Sequence, residues 1–192
     1  MPELPEVETT CRGLAPHIEG SQVRRLTIHD GRLRWPVPAD LPERLAGQTV
    51  TRLSRRGKYL LFHTPAGIMM VHLGMSGSLR LVTPGAPRKT HDHLVWDFVS
   101  GWELRFHDPR RFGCCLWLSG EFLSDPQRHP LLASLGPEPL SDDFRDDHLF
   151  RQSRGKTTAV KSFLMDSHVV VGVGNIYANE ALFRVGIHPL RE

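Results

Sequence analysis

The stretch Lys58-Tyr59-Leu60-Leu61-Phe62-His63-Thr64-Pro65-Ala66-Gly67-Ile68-Met69-Met70-Val71-His72-Leu73 decides the fold. Two short apolar runs, Lys58–Thr64 and Gly67–Leu73, are parted only by Pro65-Ala66-Gly67, a spacing that predicts two strands joined as an antiparallel hairpin. Outward from this hairpin the same texture recurs. Val23–His29 and Thr49–Arg55 precede it; Ser78–Thr83, His93–Val99, Glu103–His107 and Cys114–Leu118 follow, with Ser100-Gly101 as another turn. Short strands at hairpin spacing point to an antiparallel sandwich or barrel, because a parallel sheet needs crossover helices between its strands.

The flanks read as helix. Leu4, Val7, Cys11, Leu14, Ala15 and Ile18 recur at helical spacing, so 3–18 is an amphipathic helix that Gly20 ends. After the strands, Leu131–Leu135 runs into Gly136-Pro137-Glu138-Pro139, a stiff connector taken as the boundary between a first domain at 1–135 and a second at 136–192. In the second, Ser141 caps a helix through about Phe150, Thr157 or Thr158 one through Met165, and Asn175 one through Val185. The fold class is α+β: an N-terminal helix with an antiparallel β-sandwich, then helices.

The charge total of +3, from 24 basic and 21 acidic residues, says less than its distribution. No Asp or Glu occurs from Arg44 to His91, which holds Arg44, Arg52, Arg55, Arg56, Lys58, Arg80, Arg88 and Lys89. A second acid-free run, His148–Met165, holds Arg151, Arg154, Lys156 and Lys161. Such runs suit basic surfaces facing a polyanion, or solvated surface clusters. Cys11, Cys114 and Cys115 form no CxxC pair and fit small buried groups in a reducing compartment. With no apolar run of membrane-spanning length and an acidic, proline-broken start, a soluble intracellular protein is expected.

Chemistry concentrates at Met1-Pro2-Glu3-Leu4-Pro5-Glu6-Val7-Glu8. With Met1 removed, Pro2 carries a free secondary amine, able to attack an electrophilic carbon and form an iminium. Such an amine titrates near ~7.7–8.0 and is partly unprotonated at neutral pH. Glu3 and Glu6, one helical turn apart, offer acid/base capacity. The same residues also make an ordinary acidic helix start. Val169-Val170-Val171-Gly172-Val173-Gly174-Asn175 reads as a phosphate cradle of free N–H groups at a helix N-terminus, or as a tight helix corner needing glycine. His91-Asp92-His93 lacks further ligands at site spacing, and no metal is expected there.

Six motifs in order carry a resemblance. The N-terminal octapeptide, Arg56-Gly57-Lys58-Tyr59-Leu60, His72-Leu73-Gly74-Met75-Ser76-Gly77-Ser78-Leu79, His91-Asp92-His93, Asp108-Pro109-Arg110-Arg111-Phe112-Gly113 and Gly172-Val173-Gly174-Asn175-Ile176-Tyr177-Ala178-Asn179-Glu180 together resemble the formamidopyrimidine-DNA glycosylase family over essentially the whole chain. The resemblance implies a bifunctional glycosylase and abasic-site lyase of base-excision repair, acting as a bacterial, cytoplasmic, nucleoid-associated monomer on damaged double-stranded DNA, without a membrane. It implies 8-oxoguanine and formamidopyrimidines as substrates, with the oxidised pyrimidines of the endonuclease VIII-like relatives as the neighbouring option. Pro2 corresponds to the Schiff-base nucleophile, Glu3 to its acid/base partner and Lys58 to the proton donor of β-elimination. Met75, Arg110 and Phe112, with Glu6 beside the lesion, match the residues that fill the void left by the extruded base. His72, His91, Arg110, Lys156 and Asn175 match positions that hold DNA.

The family pattern continues beyond the motifs found here. Only the first part of a helix–two-turns–helix domain is expected at 136–192, and the four-cysteine zinc finger, with the family's structural zinc, has no counterpart in this sequence; no cofactor is expected in this chain. A fragment or a truncated gene product would both explain that, and fewer phosphate contacts would weaken DNA binding. Two rivals remain: a catalytically weak DNA-binding remnant, and an RNA-binding protein built on the helical motif, which would leave Pro2, Glu3 and Lys58 idle.

Overall fold

The computed structural model describes residues 2–192; Met1, and with it the expected processing of Met1, lies outside the described residues. Helix α1 (Leu4–Ile18) leads into β1 (Val23–Ile28), and a short α2 (Leu41–Leu45) precedes β2 (Arg52–Arg56). Then follow β3 (Tyr59–His63), β4 (Ile68–His72), β5 (Ser78–Val82), β6 (Asp92–Phe98), β7 (Glu103–His107) and β8 (Cys114–Leu118). The helices α3 (Pro130–Ala133), α4 (His148–Ser153), α5 (Val160–Met165) and α6 (Asn175–Arg184) complete the chain. The fold is α+β. Its strands form two four-stranded sheets, ordered β1-β6-β7-β5 and β2-β3-β4-β8, with every pairing antiparallel.

The hairpin read from Lys58–Leu73 is β3–β4, with Tyr59 opposite His72 and His63 opposite Ile68. Both strands are apolar without alternation because both faces are covered. Leu60, Phe62, Met69 and Val71 face the main core between the sheets, shared with Val7, Leu14 and Ile18 of α1. Leu61, Ile68 and Met70 turn the other way, onto Leu132 of α3 and the partly buried Leu131 and Leu135.

A small third cluster, Phe163, Val169 and Val170 with Phe144 and Leu149, holds the last segment together. There the helix expected from Ser141 starts later, at His148. Ser141 Oγ bonds the carbonyl of Glu138 at 2.9 Å instead of capping a helix. Asp142, Asp143, Asp146 and Asp147 fill the delay, and aspartate is a weak helix former that favours turns. Helix α5 also starts late: its first N–H groups, those of Val160 and Lys161, donate to the carbonyls of Arg191 and Pro189.

The connector after Leu135 is pinned rather than free. Glu138 accepts from Arg55 Nη1 at 2.7 Å, Arg56 Nη1 at 3.1 Å and the Gly57 N–H at 2.7 Å, while Arg56 Nη2 donates to the carbonyls of Leu135 and Gly136. Gly136 is required, because a Cβ would sit 2.6 Å from the carbonyl oxygen of His168. This anchorage corrects the charge reading. Arg55 and Arg56, with Arg44 on Asp40 and Arg80 on Asp92, are paired within the protein rather than presented to a polyanion. Among the described residues, no helix is long and apolar enough to cross a membrane.

Candidate active site

Glu3 precedes α1 in extended backbone conformation, and its N–H donates to Glu6 Oε2 at 2.8 Å, closing the first turn over exposed Glu6. Its own carboxylate goes elsewhere. Only 1% exposed, it crosses to the start of α6, where Oε2 accepts from the N–H groups of Gly174 at 2.7 Å and Tyr177 at 3.3 Å, and Oε1 from Ile176 at 2.8 Å. The first N–H groups of a helix lack internal partners and carry the positive end of its dipole, so an anion there satisfies both. The glycines are steric requirements: a Cβ on Gly174 would lie 2.5 Å from Glu3 Cδ, and one on Gly172, at φ +89, would lie 2.4 Å from the Leu4 side chain.

The phosphate cradle expected at Gly172–Asn175 is therefore already filled by the chain's own carboxylate. Asn175 stands exposed at the first position of α6.

The same turn gathers the other candidates. The Leu4 N–H donates to the Gly172 carbonyl at 3.0 Å, which fixes the half-buried Pro2 two residues upstream. Lys58 enters from the β2–β3 turn, which Gly57 makes possible at φ +55, and its Nζ donates to the Val173 carbonyl at 3.0 Å. Burial pushes the Lys58 amine below the usual lysine range, against the opposing pull of Glu3 and Glu6. A lysine so desolvated exchanges its proton more readily than an exposed one. Glu3 and Lys58, far apart in the sequence, thus meet at one turn of the helical segment, with Pro2 next to Glu3 in the chain.

His72 lies beside Lys58 and lines two cavities. One, of about 140 Å³, is shared with Lys58, Tyr59 and Val173. The other, of about 680 Å³, brings together Met75, Arg110 and Phe112 with Arg32 and Arg34. The Gly74 N–H donates to His72 Nδ1 at 3.0 Å, which leaves the proton on Nε2. Burial first, then the charges of Lys58 and Arg34, push its pKa down to about 4. His72 is thus a neutral N–H donor, not a cation. Unfolding restores an ordinary histidine titrating near 6.5, so its contribution to stability is complete above that pH and drains away as pH falls towards 4. His72→Gln is expected to flatten the fall of the urea midpoint over that window. In DNA titrations it is expected to weaken affinity without changing the slope of log affinity against log salt, since no cation is removed.

The remaining candidates are spread more widely. Met75 and Phe112 are 41% and 44% exposed, with the Arg110 guanidinium stacked 4.9 Å over the Phe112 ring. Lys156 lines a separate cleft of about 450 Å³ with Arg154 and Arg191. His91 sits between His93 and His107, with ring centroids 6.0 Å and 5.9 Å away, and reaches neither cleft. Arg34, which sequence reading passed over, enters the Met75 cleft from the loop after β1; the alternation Arg32-Leu33-Arg34 between Gly31 and Pro36 was the available signal.

The three cysteines do not fit the four-cysteine zinc centre that the resemblance implies. Cys11, Cys114 and Cys115 are buried in the core, and burial raises each thiol above its ordinary range, most of all Cys115.

Residues 1–115 match the family model for the formamidopyrimidine-DNA glycosylase N-terminal domain, and residues 135–192 that for the formamidopyrimidine-DNA glycosylase H2TH domain. The formamidopyrimidine-DNA glycosylase of Marinobacter nauticus is 59% identical over 192 residues, 100% of this chain and 69% of the relative. That of Methylococcus capsulatus is 60% identical over 191 residues, with the same coverage. The Lactococcus lactis enzyme non-covalently bound to abasic-site DNA superposes with a TM-score of 0.89 at 35% identity, covering 99% of this chain and 72% of that one. Its complex with N7-benzyl-Fapy-dG DNA gives 0.91 at 35% identity, covering 100% and 70%. Matches to both family models and relatives of such identity across the full length show that the chain belongs to the formamidopyrimidine-DNA glycosylase family.

Proposed function

We propose that this chain is a DNA glycosylase of base-excision repair with abasic-site lyase activity, a cytoplasmic monomer acting on double-stranded DNA that carries 8-oxoguanine or formamidopyrimidines. The observation that carries the reading is the meeting of Glu3 and Lys58 at the 172–174 turn, with Pro2 next to Glu3 in the chain. The Pro2 nitrogen attacks C1′ of the damaged nucleoside, forming the N–C1′ bond as the C1′–base bond breaks and the base leaves with a proton. Glu3 handles the proton at the ring oxygen as the sugar opens to the iminium. Loss of a C2′ proton then expels the 3′ phosphate, with Lys58 supplying the proton exchange for this β-elimination. Extruding the base leaves a gap in the duplex. Met75, Arg110 and Phe112 fill it, while His72, His91, Lys156 and Asn175 hold the backbone. The segments 1–135 and 136–192 act as the two walls of the DNA cleft.

The test is excision and nicking by Lys58→Ala on an 8-oxoguanine duplex and on a preformed abasic duplex. Strand nicking is expected to slow by about 10²-fold or more, the scale of a lost general acid/base. Wild-type rates in both steps would remove Lys58 from the chemistry. A second reading, a binding remnant with weak turnover, draws on the exposed apolar residues of the last helix and tail, Phe183 at 84%, Leu190 at 73% and Val185 at 66%. It predicts DNA affinity without excision in the same assay.

A further inference from the structure

Ser76 and Asp108 have no part in the roles given so far, yet they join the two loops that carry the void-filling side chains. Asp108 is fully buried. Its Oδ1 accepts from Ser76 Oγ at 2.8 Å, and its Oδ2 accepts from the Gly113 N–H at 2.8 Å. Ser76 Oγ in turn accepts from the Arg110 N–H at 3.3 Å. One hydroxyl therefore ties the neighbour of Met75 to the backbone of Arg110, and one carboxylate closes the far side of Phe112.

The backbone repeats the message. Gly74, at φ +64, touches the other loop so closely that a Cβ would lie 2.4 Å from both the Phe112 carbonyl carbon and the Gly113 nitrogen. Between Arg110 and Phe112, Arg111 adopts φ 59. A left-handed conformation in a residue with a Cβ is strained and persists only where the surroundings impose it. Here they do: the Arg111 N–H donates to the Asp108 carbonyl at 3.2 Å, and its guanidinium pairs with Asp30 at 2.7 Å. Asp108 is itself anchored, its N–H on the His91 carbonyl at 3.0 Å and its carbonyl 2.9 Å from His93 Nε2.

We infer that Ser76 and Asp108 are positioning residues that lock the Met75 loop and the Arg110–Phe112 loop into one rigid wedge before DNA arrives. The inference rests on the void-filling reading of Met75, Arg110 and Phe112. Three separately mobile side chains would each lose conformational freedom on entering the duplex; a wedge already assembled avoids most of that loss. Ser76 and Asp108 touch no substrate and act through the residues they hold.

The test has two arms on the whole chain. Amide exchange by NMR in the DNA-free protein reads the mount itself, and a fluorescent adenine analogue beside the lesion in a duplex reads unstacking by the wedge. The Arg110 and Gly113 amides are expected to be protected in the wild type. Asp108→Ala, which removes both carboxylate acceptors, is expected to release both. Ser76→Ala is expected to release Arg110 alone and to cut the unstacking signal about tenfold, equivalent to about 1.4 kcal/mol. Ser76→Thr, which keeps the hydroxyl, is expected to restore both readouts. Free exchange of Arg110 and Gly113 in the wild type, or wild-type unstacking by Ser76→Ala, overturns the inference. Met75→Ala and Phe112→Ala are the controls: if they too unstack normally, the void-filling reading is what fails, and the wedge falls with it.

Discussion

Glu3→Gln is expected to lose base excision by about 10²–10⁴-fold, the range of a removed general acid/base, and to lower stability in the same step. The second effect follows from where the carboxylate sits. Its two oxygens serve three backbone N–H groups at the start of α6, in a site 1% exposed to solvent. Glutamine keeps the shape but turns one oxygen into an NH2, which points a donor at a donor. At least one buried N–H is then left unpaired, at about 1–3 kcal/mol. For a chain of this size that is a fall of about 2–4 °C in Tm per kcal/mol. Thermal unfolding beside an excision assay checks both. Excision lost with an unchanged Tm would show that Glu3 does not cap α6; Tm lowered with excision intact would remove it from the chemistry.

Pro2→Gly is expected to cost excision at least as much. The pyrrolidine ring fixes the direction of the nitrogen lone pair relative to Cα, and the Leu4–Gly172 hydrogen bond fixes the peptide that follows. A terminal glycine has a primary amine of similar basicity that rotates freely, so it forfeits the alignment that makes an intramolecular attack fast. The expected result is excision of 8-oxoguanine reduced by about 10²-fold or more, with DNA affinity near that of the wild type, because no phosphate contact is lost. Affinity lost together with excision would mean that Pro2 serves the fold of the N-terminus and not the reaction.

The strands of this protein were legible in its sequence because turn residues bound each of them. Lys58–Leu73 gave its hairpin to within a residue at each end, and Glu103–His107 and Cys114–Leu118 came out unchanged. The family motifs likewise contained Glu3 and Lys58, which converge on the 172–174 turn. What the sequence hid were contacts made across long separations. Glu3 and Gly174 are 171 positions apart, so Gly172-Val173-Gly174-Asn175 looked like an open phosphate cradle, although the anion was waiting at the other end of the chain. Arg55 and Arg56 looked like part of a basic face for the same reason, since their partner Glu138 lies more than 80 residues away. Short helices such as Leu41–Leu45 offer too few turns for periodicity to register. Ser141 had the right chemistry for a cap, and the aspartates after it are weak helix formers that favour turns. Ser76 and Asp108 were inside quoted motifs, but only the folded loops show that they face each other.

The proposed reaction requires that the Pro2 nitrogen become covalently bonded to damaged DNA. Borohydride reduction of a mixture of the protein with an 8-oxoguanine duplex tests it directly, once mass spectrometry has shown that Pro2 is the terminal residue. The expected result is a stable protein–DNA adduct, mapped to Pro2, that is lost in Pro2→Gly. An adduct mapped to Lys58 or another amine, or no adduct with either 8-oxoguanine or a preformed abasic site, would contradict the account.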